Sequence, residues 1–229
     1  SEPMSRSAPN DPYPERIVCL TEEPTEVLYH LGEQDRIVGI SQFTVRPEEA
    51  RRDKPKVSAF TSARLERILE LDPDLVIGFS DIQADIARAL IKEGVEVWIS
   101  NHRTVDGILS YIVRLGSMVG RADDARSWAA DIADQIDTVR TRTAAFPRRP
   151  RVYFEEWDDP MITAIRWVSE VIGIAGGDDI FSDRSTSSLA ADRIIADRTE
   201  VIERDPDILL ASWCGKKLQP QQVWGREGW

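Results

Sequence analysis

The chain has 229 residues, 41% of them hydrophobic and 30% charged, with a formal net charge of −11. That composition suits a soluble, cored protein of one large or two small domains. The acidic balance argues against a nucleic-acid partner, which needs clustered Lys and Arg, and no stretch approaches the roughly 20 apolar residues of a membrane-spanning helix.

Residues 1–14 are polar and hold Pro3, Pro9, Pro12 and Pro14, so they read as a disordered arm with no secretory leader in it. The expectation is a cytoplasmic protein, or one whose leader has been cut away. Arg16–Leu20 follows as a short buried strand, and Thr25–Leu31 as a helix closed by Gly32. Arg36–Ile40 is a second strand. Ala63–Leu71 carries Leu65, Ile68 and Leu69 at helical spacing and stops at Asp72-Pro73. Asp74–Phe79 reads as strand, Ile82–Glu93 as a helix ending at Gly94, Val95–Ile99 as strand and Val105–Val119 as helix. Continuous apolar strands separated by helices imply a parallel sheet covered on both faces.

Asp123–Ala145 has no Gly or Pro and carries an apolar stripe, which predicts one long helix of roughly 30 Å. Pro147-Arg148-Arg149-Pro150 ends it, Arg151–Phe154 starts a new strand, and Gly176-Gly177 reads as a helix cap and turn. The α/β alternation then resumes. The segment Leu65–Ile77 resembles Thr199–Leu210 when the two are aligned on Asp-Pro-Asp, each giving a short helix, a turn and a buried strand. The expected architecture is α/β: two lobes, each with a mainly parallel sheet flanked by helices, joined by one long helix. The divisions expected are an arm over 1–14, a first lobe over 15–120, a linker helix over 121–147 and a second lobe over 148–229. The second lobe reads as truncated, because about 80 residues are few for several βα units.

In an α/β lobe, ligand contacts come from the loops at the carboxyl ends of the strands. Those loops hold Glu22, Glu23 and Thr25, then Phe43, then Phe60. Glu22, Glu23 and Thr25 equally suit a helix N-terminus. In the second lobe, Phe154–Pro160 holds Trp157 and Asp158, and Trp213 is followed by Cys214-Gly215-Lys216. Tryptophan at strand ends suits a flat, largely apolar ligand with polar edges. The run Glu155, Glu156, Asp158 and Asp159 reads as an acidic loop, but its spacing matches no calcium loop of the EF-hand type, and no metal site is expected. Cys19 and Cys214 read as two separate buried thiols, with a disulfide left open. His30 reads as structural and His102 as a loop residue within reach of a ligand. No GxSxG, phosphate-cradling or HExxH motif is present, so no catalytic residues are assigned.

The run Arg16–Leu20 with Thr25-Glu26, then Asp35–Gly39, then Leu65–Ile77 resembles the helical-backbone periplasmic binding proteins, the receptors for cobalamin, ferric siderophores and haem. Phe154–Pro160 and Ser212–Lys216 look most similar to the cobalamin-binding branch. The resemblance implies a monomeric substrate-binding protein of an ABC importer, outside the cytoplasm, with no intrinsic cofactor. It would bind cobalamin or another metal complex between its lobes and deliver it to a membrane-embedded permease. It implies ligand contacts from Phe43, Phe60, Glu23, Trp157, Asp158, Trp213 and Lys216. One acidic residue on each lobe would pair with arginines of the permease: Glu66 on the first, and a second position that falls on Thr199 with Glu200 beside it. The alternatives are a ferric-siderophore or haem receptor, for which Arg46, Arg103 and Arg166 are the basic loop candidates, a metal chelatase-like enzyme, or a cytoplasmic scaffold or sensor of the same fold. The stiff linker implies small lobe movements on binding.

Overall fold

A computed structural model describes residues 12–58 and 64–229. The elements run β1 (Ile17–Cys19), α1 (Glu22–His30), β2 (Ile37–Ser41), α2 (Glu48–Asp53), β3 (Lys56–Ser58), α3 (Leu65–Glu70), β4 (Leu75–Phe79), α4 (Ala84–Lys92), β5 (Val97–Ser100), α5 (Val105–Met118) and α6 (Ala122–Thr143). After these come β6 (Arg151–Asp158), β7 (Met161–Thr163), α7 (Arg166–Ile174), β8 (Asp178–Asp179), α8 (Ser182–Ser185), α9 (Thr199–Glu203), β9 (Ile208–Ala211) and α10 (Pro220–Trp224). Two compact units result. One runs up to Asn101 and includes Ser110–Ala129; the other combines His102–Leu109 with Ala130–Trp229.

The first unit is a parallel sheet in the order β3-β2-β1-β4-β5. Central strand β1 is fully buried, as its unbroken apolar sequence requires. Val18, Leu20, Val57, Ile68, Val76 and Leu90 form one core, with Leu65, Leu69 and Leu71 packed against it. Helix α1 begins at Glu22, three residues before the sequence suggested. Pro24 sits in its first turn, where a missing N–H costs nothing. Gly32 takes a φ of +75° and ends it: Glu33 N–H donates to Leu28 O at 2.8 Å and Gly32 N–H to Tyr29 O at 3.1 Å. Tyr13 and Pro14, read from sequence as part of the arm, lie against this unit. Arg36 donates to Pro14 O at 2.8 Å, and the Tyr13 ring covers Gly120. Strand β3 and helix α2 were not anticipated.

In the second unit β6 is central. It pairs in parallel with β9 along one side, and on the other with β8 in parallel and β7 antiparallel. Tyr153, Met161, Phe181, Ile195 and Val201 make its core. The sheet is therefore mainly parallel, as expected, with a short hairpin added at the end of β6. Helix α7 ends as α1 does: Gly176 at a φ of +89°, Gly177 N–H donating to Ile172 O at 2.9 Å.

The duplicated Asp-Pro-Asp unit has the same hydrogen bonding in both copies. Arg16 N–H donates to Asp74 Oδ1 at 2.9 Å, while the Arg16 guanidinium grips the carbonyls just after α3, Leu71 O and Asp72 O. Arg151 N–H donates to Asp207 Oδ2 at 2.8 Å, and its guanidinium grips Arg204 O and Asp205 O after α9. Asp72 and Asp205 both adopt the left-handed region, at φ of +46° and +49°. The counterpart of Arg151 is therefore Arg16.

Candidate functional site

In the first unit the sheet turns around between β1 and β4, the position where open parallel sheets receive ligands. The β1 end leads into Thr21, Glu22 and Glu23, the two acids forming the first turn of α1, where its dipole favours negative charge. Burial pushes the Glu22 carboxyl above its ordinary range, and the neighbouring Glu23 charge adds to the effect. Phe43 follows β2 and is 44% exposed. Phe60 lies outside the described residues.

The end of β4 carries a residue the sequence reading missed. Ser80 has φ +58° and ψ −179°, a combination reached almost only by glycine. Its hydroxyl accepts from Ile82 N–H at 3.3 Å. Buried Gln83 ties the two central strands together, donating to Leu20 O at 3.3 Å and accepting from Phe79 N–H at 2.8 Å. Strain has no sequence signature when the residue is serine, so only coordinates reveal it.

In the second unit the acidic run is not a loop. Glu155 to Asp158 belong to β6, and alternate residues turn to opposite faces. Glu155 is fully buried, and its carboxylate oxygens are taken by internal donors. It accepts two bonds from Arg226, at 2.6 and 2.9 Å, one from the Trp213 indole N–H at 2.9 Å and one from the Tyr153 hydroxyl at 2.8 Å. Burial and the adjacent Glu155 carboxylate hold the Tyr153 phenol far above its ordinary range, so it stays a donor. Glu156 turns the other way and pairs with buried Arg193 at 2.6 Å.

At the carboxyl ends of β6 and β9 the four residues flagged from sequence in this unit come together. The Lys216 ammonium lies 2.5 Å from Asp158 Oδ1, 4.2 Å from the Trp157 ring centre and 4.8 Å from that of Trp213. Trp157 is half-buried, its indole N–H donating to Asp159 O at 3.0 Å; Trp213 is only 5% exposed. Burial works to raise the Asp158 pKa, but the bond to Lys216 and the backbone N–H groups outweigh it and hold the carboxyl below its ordinary range.

The two docking candidates differ. Glu66 is exposed in the first turn of α3. Glu200 holds the matching second position of α9, because α9 is one residue shorter than α3 and absorbs the offset between the copies. Its carboxylate is engaged by Arg184 at 2.6 and 2.7 Å and by Arg204 at 2.9 Å.

His30 stacks on Trp128, ring centres 3.6 Å apart, a structural role as expected. Cys19 is buried, and that burial pushes its thiol up to about 12. Cys214 is exposed, against the expectation of a buried thiol, because β9 ends at Ala211 and the chain has left the sheet. The two cysteines form no disulfide. Among the described residues no group of three or more His, Cys, Asp or Glu is placed to hold a metal ion, and no helix is long and apolar enough to cross a membrane. A cavity of about 730 Å³ among α5, α6 and α7 is rimmed by charged side chains already paired, Arg140 with Asp137 and Arg166 with Glu170.

Comparison with known proteins agrees with this architecture. The chain is 29% identical over 201 residues to the vitamin B12-binding protein of Vibrio campbellii, covering 86% of this chain and 70% of that one. It is 26% identical over 214 residues to the cobalamin-binding protein of Halobacterium salinarum, covering 91% of this chain but only 56% of that relative, so it spans little more than half of it. The crystal structure of the periplasmic vitamin B12-binding protein of Vibrio cholerae superposes with a TM-score of 0.74 at 24% identity, over 93% of this chain and 80% of that one, which establishes the shared fold. The periplasmic binding protein family model matches residues 17–229, and the chain belongs to that family.

Proposed function

We propose that this chain is the substrate-binding protein of an ABC importer and that its ligand is a corrinoid of the cobalamin class. The observation that carries the ligand class is that relatives matched over most of this chain are named for binding vitamin B12 or cobalamin. The geometry supports it. The half-buried Trp157, beside Lys216 and Asp158, offers a flat apolar surface with polar edges at the carboxyl ends of the strands, where an α/β sheet receives ligands. Phe43 offers a second exposed ring at the carboxyl end of β2. The family is one of binding proteins, and the role proposed is carriage and not catalysis. The partner is a membrane-embedded permease, with Glu66 as the docking acid of the first unit, and the site of action lies outside the cytoplasm.

Isothermal titration with cyanocobalamin, haem and a ferric siderophore tests the ligand class. Cyanocobalamin binding at micromolar or tighter Kd, at least tenfold tighter than either iron ligand, supports the corrinoid reading. Tighter binding of haem or siderophore replaces it with the iron reading of the same fold, and no binding of any of the three removes both.

A further inference from the structure

We infer that Lys216 is a positioning residue: its ammonium locks the Trp157 ring in the orientation that meets ligand, so its effect on affinity passes through that ring. The inference rests on the ligand site proposed above, and it replaces the reading of Lys216 as a ligand contact with one in which the residue acts through its neighbour.

The chain around Lys216 is shaped to bring this ammonium back over the indoles. Trp213 is anchored by its N–H to buried Glu155. Cys214 N–H reaches Glu156 O at 3.4 Å, and Gly215 then takes a φ of +74°, a left-handed turn in open space that only glycine adopts without strain. The turn returns Lys216 toward β6, where one cation meets two ring faces and a carboxylate. The two rings differ in how much they depend on it. Trp213 is buried and held from below. Among the described residues the Trp157 ring has, besides Lys216, one hydrogen bond, to the carbonyl of Asp159 just past the end of β6. Cation–π attraction and the Asp158 ion pair together make Lys216 the fastener of Trp157 to the rest of the unit. Lys216 is 40% exposed and Asp158 12%, so solvent screens the pair from the lysine side and its contribution to global stability is modest. Its consequence is the preorganisation of one ring. A ring in its binding orientation for about a tenth of the time weakens apparent affinity about tenfold.

The test uses Lys216→Met, which keeps length and apolar bulk, Lys216→Arg, which restores a cation, and Trp157→Ala alone and combined with Lys216→Met. Cyanocobalamin affinity is measured on each, together with the indole N–H resonance of Trp157 in the free protein. The expected result is at least a tenfold loss for Lys216→Met, recovery to within about threefold for Lys216→Arg, and no further loss when Lys216→Met is added to Trp157→Ala. The free-protein resonance should shift or broaden in Lys216→Met and return in Lys216→Arg. An equal loss in both the wild-type and the Trp157→Ala background overturns the inference, since Lys216 would then act on ligand directly. If the wild-type protein binds no corrinoid, the functional reading fails on its own, and the resonance decides this one: unchanged in Lys216→Met, it overturns the inference.

Discussion

Arg16 and Arg151 perform the same act in the two units. Each stands at the start of the first strand of its sheet, donates its backbone N–H to the last Asp of an Asp-Pro-Asp turn, and closes its guanidinium on the carbonyls just past the short helix that leads into that turn. Helix ends leave such carbonyls without intrahelical donors, so the arginine supplies what the backbone lacks. Replacing Arg16 by Ala should lower stability by about 1–3 kcal/mol, through bonds of a charged donor to several carbonyls. Replacing Arg151 should do the same. Hydrogen exchange should show the lost protection confined to the unit that carries the substitution. Loss spread over both units would show that the two clamps do not act locally.

This relationship was half legible in the sequence. The Asp-Pro-Asp copies stand out because proline and aspartate punctuate the chain. Their arginine partners lie more than fifty residues away, and nothing local distinguishes Arg16 from Arg36. The long strands and helices follow their hydrophobic pattern. Strands β3, β7 and β8 have two or three residues each, too few for any period, and exist because a neighbour pairs with them. Glu155 was read as a loop acid because its buried partners, Trp213 and Arg226, come from far along the chain.

Ser80 supplies a direct measure of strain at the carboxyl end of β4. Ser80→Gly and Ser80→Ala both lose the hydroxyl that accepts from Ile82, but only glycine relaxes at φ +58°. The glycine variant should be more stable than the alanine variant by about 1–3 kcal/mol in urea unfolding. Equal stabilities would mean the local backbone relaxes without cost.

Glu155 and Arg226 form a buried ion pair whose members cannot be removed singly without consequence. Glu155→Ala leaves a guanidinium buried without its carboxylate and should cost about 3–5 kcal/mol. The Glu155→Gln variant keeps one acceptor oxygen, enough for the Trp213 indole, while the Tyr153 hydroxyl can turn to accept from the new amide N–H, so it should cost less. Adding Arg226→Met to Glu155→Ala should recover part of the loss, and a double-mutant cycle in urea measures the coupling.

Asp158 predicts a pH dependence. Its folded pKa lies below the ordinary aspartate value, so the native state binds fewer protons than the unfolded chain as the pH falls below about 4. The stability it contributes is full above that value and is lost as pH falls through the depressed one. Asp183, held down by its bond to Arg204, acts in the same direction, whereas Glu22, held up by burial, stabilises below its unfolded value and loses that contribution as pH rises. Asp158→Asn should therefore be less stable than wild type at neutral pH, with the gap closing as urea midpoints are followed down toward pH 2. A gap that stays constant would show that the carboxylate's charge contributes nothing.

Glu66 and Glu200 occupy matching helical positions, yet their surroundings predict opposite phenotypes. Glu66 is exposed and buries nothing, so Glu66→Ala should leave the melting temperature within about a degree, in keeping with the small effects of surface substitutions. Glu200 binds Arg184 through both oxygens and Arg204 through one, and the Arg204 guanidinium in turn lies 4.3 Å from the Phe181 ring centre. Glu200→Ala takes the carboxylate partner from partly buried Arg184 and leaves Arg204 with Asp183 alone, and it should cost about 1–3 kcal/mol. In the transport reading, Glu66→Ala should keep wild-type ligand affinity while losing stimulation of permease ATP hydrolysis. For Glu200, docking would compete with Arg184 and Arg204 for the same oxygens, so any permease arginine has to displace an internal one. A Glu200→Gln variant that folds as wild type yet fails to stimulate ATP hydrolysis would show that this exchange takes place. Full stimulation by that variant would leave Glu200 as an internal brace and docking to Glu66.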